Sequence, residues 1–558
     1  MSAKTMWSLS PSAKLVAFTV PLILVSVLLT VVGPRSPGRL IPSDNSWLLW
    51  SFGSSKHDII VHGGAAANRT AATSADRMAA VLEVRKQVEE ETPPSHTAPR
   101  PEAEDGGSAF NVSRPAPSPT GVEVALGHKS DQTNATIEDS RVPTLSTSNP
   151  PSMSEAVVLP EKKLPPLPPL REYTILDRLE GGLRRARSAI REQKNGSSTS
   201  DPDYVPIGPM YRNANAFHRS YLEMEKQFKI FVYEEGEPPV FHNGPCKSIY
   251  AMEGNFIHMM EISTQFRTGD PEKAHVFFLP FSVTMMVQFV YVQDSHDFGP
   301  IKQTVIDYLN VVSAKYPYWN RSLGADHFML ACHDWGPETS RAVPNLYKNS
   351  IRVLCNANTS EGFNPSKDIS FPEINLHTGG IRGLIGGPSP SHRPILAFFA
   401  GGLHGPIRPI LLEHWEHKND PDMQIHKYLR RGVSYIDMMR KSKFCICPSG
   451  YEVASPRVVE AIYTGCIPVL ISDHYVPPFS DVLNWKSFSV EVPVSEIPNL
   501  KNILASISPR QYIRMQRRVV QIRRHFEVNS PPKRFDVFHM ILHSLWLRRL
   551  NVRVHDNH

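Results

Sequence analysis

Three stretches of this 558-residue chain place ionisable residues where chemistry is to be expected. In "PSGYEVASPRVVEAIYTG", Pro448 to Gly465, Arg457 and Glu460 stand three apart and share one face of a short predicted helix. Val458, Val459, Ala461 and Ile462 supply its packing face. Ser455 is a natural N-cap, Pro456 fits the first helical position and Gly465 marks the end. An apolar strand, Lys443 to Cys447, feeds this helix, so the helix opens just past a strand end, where main-chain N–H groups and the helix dipole favour phosphate. Arg457 then suits a charge-assisted pair with a diphosphate, and Glu460, one turn deeper, suits the two hydroxyls of a ribose. The plain alternative is a surface ion pair. In "HFMLACHDWG", His333 and Asp334 follow a second strand; either side chain can take a proton from a hydroxyl, and His333 is the first choice for that base. Glu234, Glu235 and His242 compete for that role. "FAGGLHGPIRP" follows a third strand; Gly401 and Gly402 permit close backbone approach and Arg408 suits a phosphate, unless the segment is an ordinary tight turn.

These residues need elements to hold them. From about Tyr221 the chain alternates apolar β-type runs with helical ones. The first series is "KIFVY" (229–233), "HVFFLPF" (275–281), "HFMLA" (327–331) and "IRVL" (351–354), with a helix over Pro300 to Lys315. The second is "PILAFFA" (394–400), "KFCIC" (443–447), "IPVLIS" (467–472) and "FSVEV" (488–492). Continuous apolar strands between helices predict parallel sheets covered on both faces. Two series predict two facing, doubly wound α/β domains, over 221–385 and 390–525, with a C-terminal helix at 530–552. Their joint falls in "HTGGIRGLIGGPSPSH", His377 to His392, where glycine, proline and serine cluster. A ligand then sits beyond the strand C-termini, in the cleft.

Before this body lie an anchor and a stem. Leu15 to Gly33 is uncharged and, at about 19 residues, long enough to cross a bilayer as a helix. This predicts a single-pass anchor at 15–33 behind a cytosolic tail at 1–14, without a clear cleavage site. The fifty prolines exceed an average share of about 5%, and 34–206 is rich in Pro, Ser, Thr, Ala and Gly. Such composition predicts a disordered stem. Within it, Leu176, Leu179, Leu183, Ala186 and Ile190 recur at spacings of three and four, a narrow seam for self-association or for docking on the chain's own body. Six glycosylation sequons (Asn68, Asn111, Asn134, Asn195, Asn320, Asn358) and six cysteines (Cys246, Cys332, Cys355, Cys445, Cys447, Cys466) all follow the anchor, which favours a lumenal body. Cys445 and Cys447 alternate along a strand and are not expected to pair with each other. The net charge of +6 is mild for this length and does not indicate nucleic acid.

The stretch "KFCICPSGYEVASPRVVEAIYTGCIPVLISDHYVPPFSDVLNW" resembles the donor-site signature of the exostosin-like glycosyltransferases, in particular their plant cell-wall branch. "KIFVYE", "PEKAHVFFLP", "DHFMLACHDWG", "PILAFFAGG", "HGPIRPIL" and "RFDVFHMILHSLWLRRLN" resemble the same branch, in order, over about 228–552. The resemblance implies a GT-B fold, a UDP-sugar donor, inversion at the anomeric carbon and a type II membrane protein of the Golgi. Ser455, Arg457 and Glu460 match the family's S-x-R-x-x-E-A core, and Tyr451 becomes a candidate to stack on uracil.

Other chemistries are poorly supported. A metal-dependent transferase needs D-x-D after an apolar strand, but Asp201-Pro-Asp203 and Asp420-Pro-Asp422 lie in polar proline turns, so no metal and no cofactor is expected. The zinc-protease spacing H-E-x-x-H and the hydrolase elbow G-x-S-x-G are missing. The expectation is a Golgi inverting glycosyltransferase acting from a UDP-sugar onto a cell-wall polysaccharide, hemicellulose or pectin, alone or as an oligomer with other transferases. A non-catalytic glycan-binding scaffold of the same fold is the alternative, and a glycan hydrolase with two carboxylates a third.

Overall fold

In the computed structural model of the chain, residues 174–196 and 200–555 are described. The expected tail, anchor, most of the stem and the sequons Asn68, Asn111 and Asn134 lie outside them. Among the described residues no helix is long and apolar enough to cross a membrane.

The leucine seam at the end of the expected stem docks on the chain's own body. Helix α1 (Ile175–Gln193) starts from a capping box, the Thr174 hydroxyl accepting from Asp177 N–H and the Asp177 carboxylate from Thr174 N–H. Leu176, Leu183, Ala186 and Ile190 are buried against α2 (Ala214–Gln227), while Leu179 is only partly covered. Arg187 Nε donates to the Leu550 carbonyl, and Arg549 pairs with Glu180 at 2.6 Å. The boundary at 206 is therefore corrected: the folded body reaches back to about residue 175, because this seam has a complementary surface within the chain.

The first sheet contains β1 (Ile230–Val232), β2 (Val276–Phe278), β3 (His327–Ala331), β4 (Ile351–Leu354) and a two-residue β5 (Ile369–Ser370), all parallel and side by side in chain order. Strand alternation sorts its side chains. Val276, Phe278, Phe328 and Val353 share one core with Phe256 of α3 (Ala251–Glu261); Phe277, Met329 and Leu354 share the other with Ile301 and Val305 of α4 (Gly299–Lys315). The expected doubly wound order does not hold for this sheet, which never reverses direction. Part of its cover comes instead from the far end of the chain. Phe538, at the start of the C-terminal helix, packs on Phe256 at 5.6 Å between ring centres.

The second sheet does reverse. Strands β6 (Ile395–Ala400), β7 (Met423–His426), β8 (Ser442–Pro448), β9 (Ile467–Ile471) and β10 (Val490–Glu491) are parallel and ordered β7-β6-β8-β9-β10. The reversal lies between β6 and β8, and a crevice opens at such a switch point. Helices α5 (Ile407–Trp415), α6 (Tyr435–Lys441) and α7 (Arg457–Thr464) follow β6, β7 and β8, with α8 (Pro509–Ile522) after β10. Arg393, at the end of the expected joint, is buried and donates to the carbonyls of Ser442 and Thr464 at 3.0 and 2.6 Å, which anchors the entry to β6.

Disulfides pair Cys332 with Cys355, across the ends of β3 and β4, and Cys445 with Cys466, between β8 and the start of β9. Cys447 and Cys246 are free thiols. The main chain also ties the two sheets together. After β9 the segment 474–476 crosses to the first sheet, with Thr359 N–H donating to His474 C=O at 3.0 Å and Val476 N–H to Ala357 C=O at 3.0 Å. The C-terminal helix α9 (Val537–Asn551) returns as well: Arg549 Nε donates to His275 C=O at 2.7 Å, and Arg548 to Asp368 C=O and the Asp481 carboxylate.

Candidate functional site

A cavity of about 440 Å³ opens where the two sheets' C-terminal ends meet. Ile249, Asn375 and His377 line it from the first half; Arg408, Tyr435, Ser455, Arg457 and Glu460 line it from the second. Of the residues singled out by pattern, Arg408, Ser455, Arg457 and Glu460 thus converge on one space although they come from two strand-to-helix connections.

Helix α7 opens on this cavity, with details that differ from expectation. The first turn is closed by the Ser455 carbonyl, which accepts from Val458 N–H at 3.2 Å, and the cap position is Pro456, without any side-chain cap bond. Ser455 is therefore a cavity wall and not a cap, because Pro456 already adopts helical torsions. Gly465 ends the helix at φ 71°, as a left-handed C-terminal residue must.

Arg457 and Glu460 are organised by a residue the pattern did not single out. Arg457 is 9% exposed; its Nε donates to the Tyr435 hydroxyl at 3.1 Å and one Nη to the Ala400 carbonyl at 3.0 Å. Its guanidinium lies over the Phe399 ring at 4.7 Å. The same Tyr435 hydroxyl donates to Glu460 at 3.0 Å. Burial raises the proton affinity of Glu460, opposed by Arg457 and by the tyrosine's hydrogen bond. The other Nη of Arg457 and the Nε of Arg408 are buried without a hydrogen-bond partner among the described residues. Burial, reinforced by Arg457, pulls the Arg408 guanidinium down to about 10. Two adjoining cations with unmet N–H groups on a cavity wall form a site for a polyanion.

The glycines have a closer purpose than expected. A Cβ on Gly401 would stand 2.8 Å from the Arg457 guanidinium, so Gly401 makes room for the arginine and not for a ligand. A Cβ on Gly402 would approach His404 Nε2 at 3.1 Å. Gly405, at φ 69°, lets its loop touch the next one: a Cβ there would fall 1.8 Å from the Gly450 carbonyl oxygen. Burial, with Arg408 and Arg457 nearby, lowers the proton affinity of His404, which makes it a neutral neighbour of the two arginines. Tyr451 packs edge-on to His404 at 5.5 Å and does not line the cavity.

On the first half, His333 follows β3 but does not line the cavity, and its ring is committed. Nδ1 accepts from Trp335 N–H at 3.1 Å, so the neutral ring carries its proton on Nε2, and Tyr250 packs at 4.7 Å between ring centres. That replaces the expected histidine base: its lone pair is already engaged by the main chain. The buried Glu253 of α3 fixes this turn by accepting from Cys332 and His333 N–H at 2.8 and 2.9 Å. Asp334 does not line the cavity either; burial pushes its carboxyl up to about 6, against a hydrogen bond from Tyr250. The competitors are occupied elsewhere. Glu235 pairs with Lys315 at 2.6 Å and His242 with Glu261 at 2.8 Å, while Glu234 is exposed. Of the remaining sequons, Asn195 and Asn320 are exposed, whereas Asn358 is buried and its side-chain oxygen accepts from Ser360 N–H.

The acidic residue missed by pattern is Glu373, 5% exposed, just after β5 in the apolar run "SFPEINL". A lone acid inside such a run was the available signal. Tyr435 left none, being one more helix residue 22 positions before Arg457.

Residues 224–507 match the Exostosin GT47 domain. A probable glycosyltransferase of Arabidopsis thaliana is 65% identical over 423 residues, 76% of this chain and 80% of that protein. Another from the same plant is 58% identical over 384 residues, 68% of this chain and 82% of its own length. A probable glucuronosyltransferase of Oryza sativa subsp. japonica is 31% identical over 347 residues, 57% of this chain and 80% of that protein.

Proposed function

This chain belongs to the exostosin GT47 family of plant glycosyltransferases, and from that premise we propose that it transfers a sugar from a UDP-sugar to a growing cell-wall polysaccharide, with inversion and without a metal. The observation that carries the reading is the pair of guanidiniums, Arg408 and Arg457, on the wall of one cavity, each with a buried N–H lacking a partner among the described residues. Those groups fit a diphosphate, and Glu460, held by Tyr435 one turn along α7, fits the ribose hydroxyls. Two facing parallel sheets with the C-terminal helix crossing back support GT-B.

The chemistry follows from where charge develops. The acceptor hydroxyl loses its proton to a base on the first half and its oxygen bonds to the anomeric carbon. The bond from that carbon to the β-phosphate oxygen breaks, and the electron pair leaves with UDP. Arg408, Arg457 and the N-terminal turn of α7 stabilise that growing negative charge. Two disulfides within the body support an oxidising compartment, in line with a Golgi lumen reached through the 15–33 anchor.

Titration of the full-length protein with UDP and with UDP-sugars tests this, with UDP-glucuronate in the panel because of the rice relatives' names. Saturable binding without added metal, lost in Arg457→Ala and weakened in Glu460→Ala, is expected, and the preferred donor names the sugar. Folded wild type that binds no UDP would overturn the catalytic reading and leave a glycan-binding scaffold in its place.

A further inference from the structure

The base of this reaction has a more specific candidate than the turn after β3. We propose that Glu373 is the residue that takes the proton from the acceptor hydroxyl, and that Asp334 is a positioning residue acting through it. The proposal rests on the glycosyltransferase reading above.

Glu373 lies three residues past β5, at the C-terminal edge of the first sheet, and two residues before Asn375, which lines the cavity. It is buried, yet no hydrogen bond or ion pair engages its carboxyl among the described residues. A buried acid without a partner is costly, and every other acid near this cleft is engaged: Glu253 by main-chain N–H groups, Glu460 by Tyr435, Asp334 by Tyr250. The charged and titratable groups around Glu373 come from both halves. Asp334 and Tyr250 stand on its own side and Tyr475 on the crossing segment, while Glu460 and Arg408 face it from the donor side. Glu373 is not itself among the residues lining the cavity; it stands on the first half, with Arg408 and Glu460 of the donor half near enough to act on its charge, and an inverting reaction needs its base opposite the leaving group.

The surroundings also set its strength. Burial, and then the negative charge of Asp334, raise the proton affinity of Glu373 well above the usual carboxyl range, toward the working pH at which a general base is most effective. In the step itself the Glu373 carboxylate takes the acceptor proton as the new C–O bond forms and UDP departs with the electron pair of the broken bond. The proton passes to solvent when the product leaves.

The test compares full-length wild type, Glu373→Gln and Asp334→Asn for UDP binding and for UDP release from the preferred donor, with water or added oligosaccharide as acceptor, from pH 5 to pH 9. Glu373→Gln should bind UDP within about twofold of wild type and lose about 10²–10⁴-fold in kcat. In Asp334→Asn the acid limb of the pH profile should move to lower pH, since one of the groups that hold the Glu373 proton is gone. Wild-type kcat in Glu373→Gln overturns the assignment, and so does an unmoved acid limb in Asp334→Asn. Wild type that binds UDP but releases none from any donor also overturns it. Wild type that binds no UDP removes the glycosyltransferase reading itself, and this inference with it.

Discussion

Arg457 and Glu460 are joined through a third side chain: the Tyr435 hydroxyl accepts from the arginine at 3.1 Å and donates to the carboxylate at 3.0 Å. One hydroxyl thereby sets the distance between the group assigned to phosphate and the group assigned to ribose.

Tyr435→Phe removes that bridge and little volume. The tyrosine's hydrogen bond opposes the upward shift of Glu460, so its loss lets Glu460 hold its proton to still higher pH. A protonated carboxyl is a weaker acceptor for ribose hydroxyls. UDP affinity should fall about tenfold, the worth of about one hydrogen bond to a charged group, and the loss should be larger at the lower of two pH values. Calorimetric titrations at the two pH values check this; an equal loss at both would argue against the bridge.

Gly405→Ala and Gly432→Ala separate two costs of adding a methyl group. Both glycines have positive φ, 69° and 86°, but only at Gly405 does the new carbon meet backbone, 1.8 Å from the Gly450 carbonyl oxygen; Gly432 has open space. Gly432→Ala should lose about 1 kcal/mol from strain alone. Gly405→Ala should lose clearly more and also weaken UDP binding, because the 401–408 and 448–455 loops can no longer touch. Urea unfolding and UDP titration of the two variants make the comparison.

Asp334 should make the unliganded protein less stable as pH rises. Its folded carboxyl sits at about 6 and its ordinary value is 3.8, so between those values the folded state binds more protons than the unfolded one and stability declines with pH. The whole contribution is about 3 kcal/mol. Asp334→Asn should match wild type near pH 4 and exceed it near pH 7, and urea midpoints across that range will show whether the gap opens with the predicted sign.

The Cys332–Cys355 bridge closes a separation of 23 residues, and its removal should cost about 3 kcal/mol on the chain-entropy account. Cys332→Ser with Cys355→Ser is the variant, and its urea midpoint under oxidising conditions the measurement. Reductant should then destabilise wild type more than the double variant, which keeps only the Cys445–Cys466 bridge.

Much of this architecture was legible in the sequence wherever local pattern decides it. "HFMLA" and "IRVL" are strands with the expected limits, Gly465 ends its helix as expected, and Arg457, Glu460 and Arg408 share a cavity. What escaped depends on contacts between distant segments. Strand β5 has two residues, too few for any periodicity, and β7 reads "MQIH", too polar to stand out. The in-order first sheet was unreadable because its cover arrives from α9, about 170 residues after β5. Tyr435 and Glu373 gain meaning only from partners that the fold brings to them, and His333 lost its expected role to one main-chain N–H two residues away.

The return of α9 also puts a clock on the making of this protein. At about 5–20 residues per second, the ribosome delivers Val537–Asn551 roughly 10–30 s after β5. Until then Phe256 waits for Phe538, and the carbonyls of His275 and Asp368 wait for Arg549 and Arg548. The nascent chain thus carries an open apolar face through about half of its synthesis, and a premature stop before residue 537 would deliver every residue of the cleft on a body that cannot close.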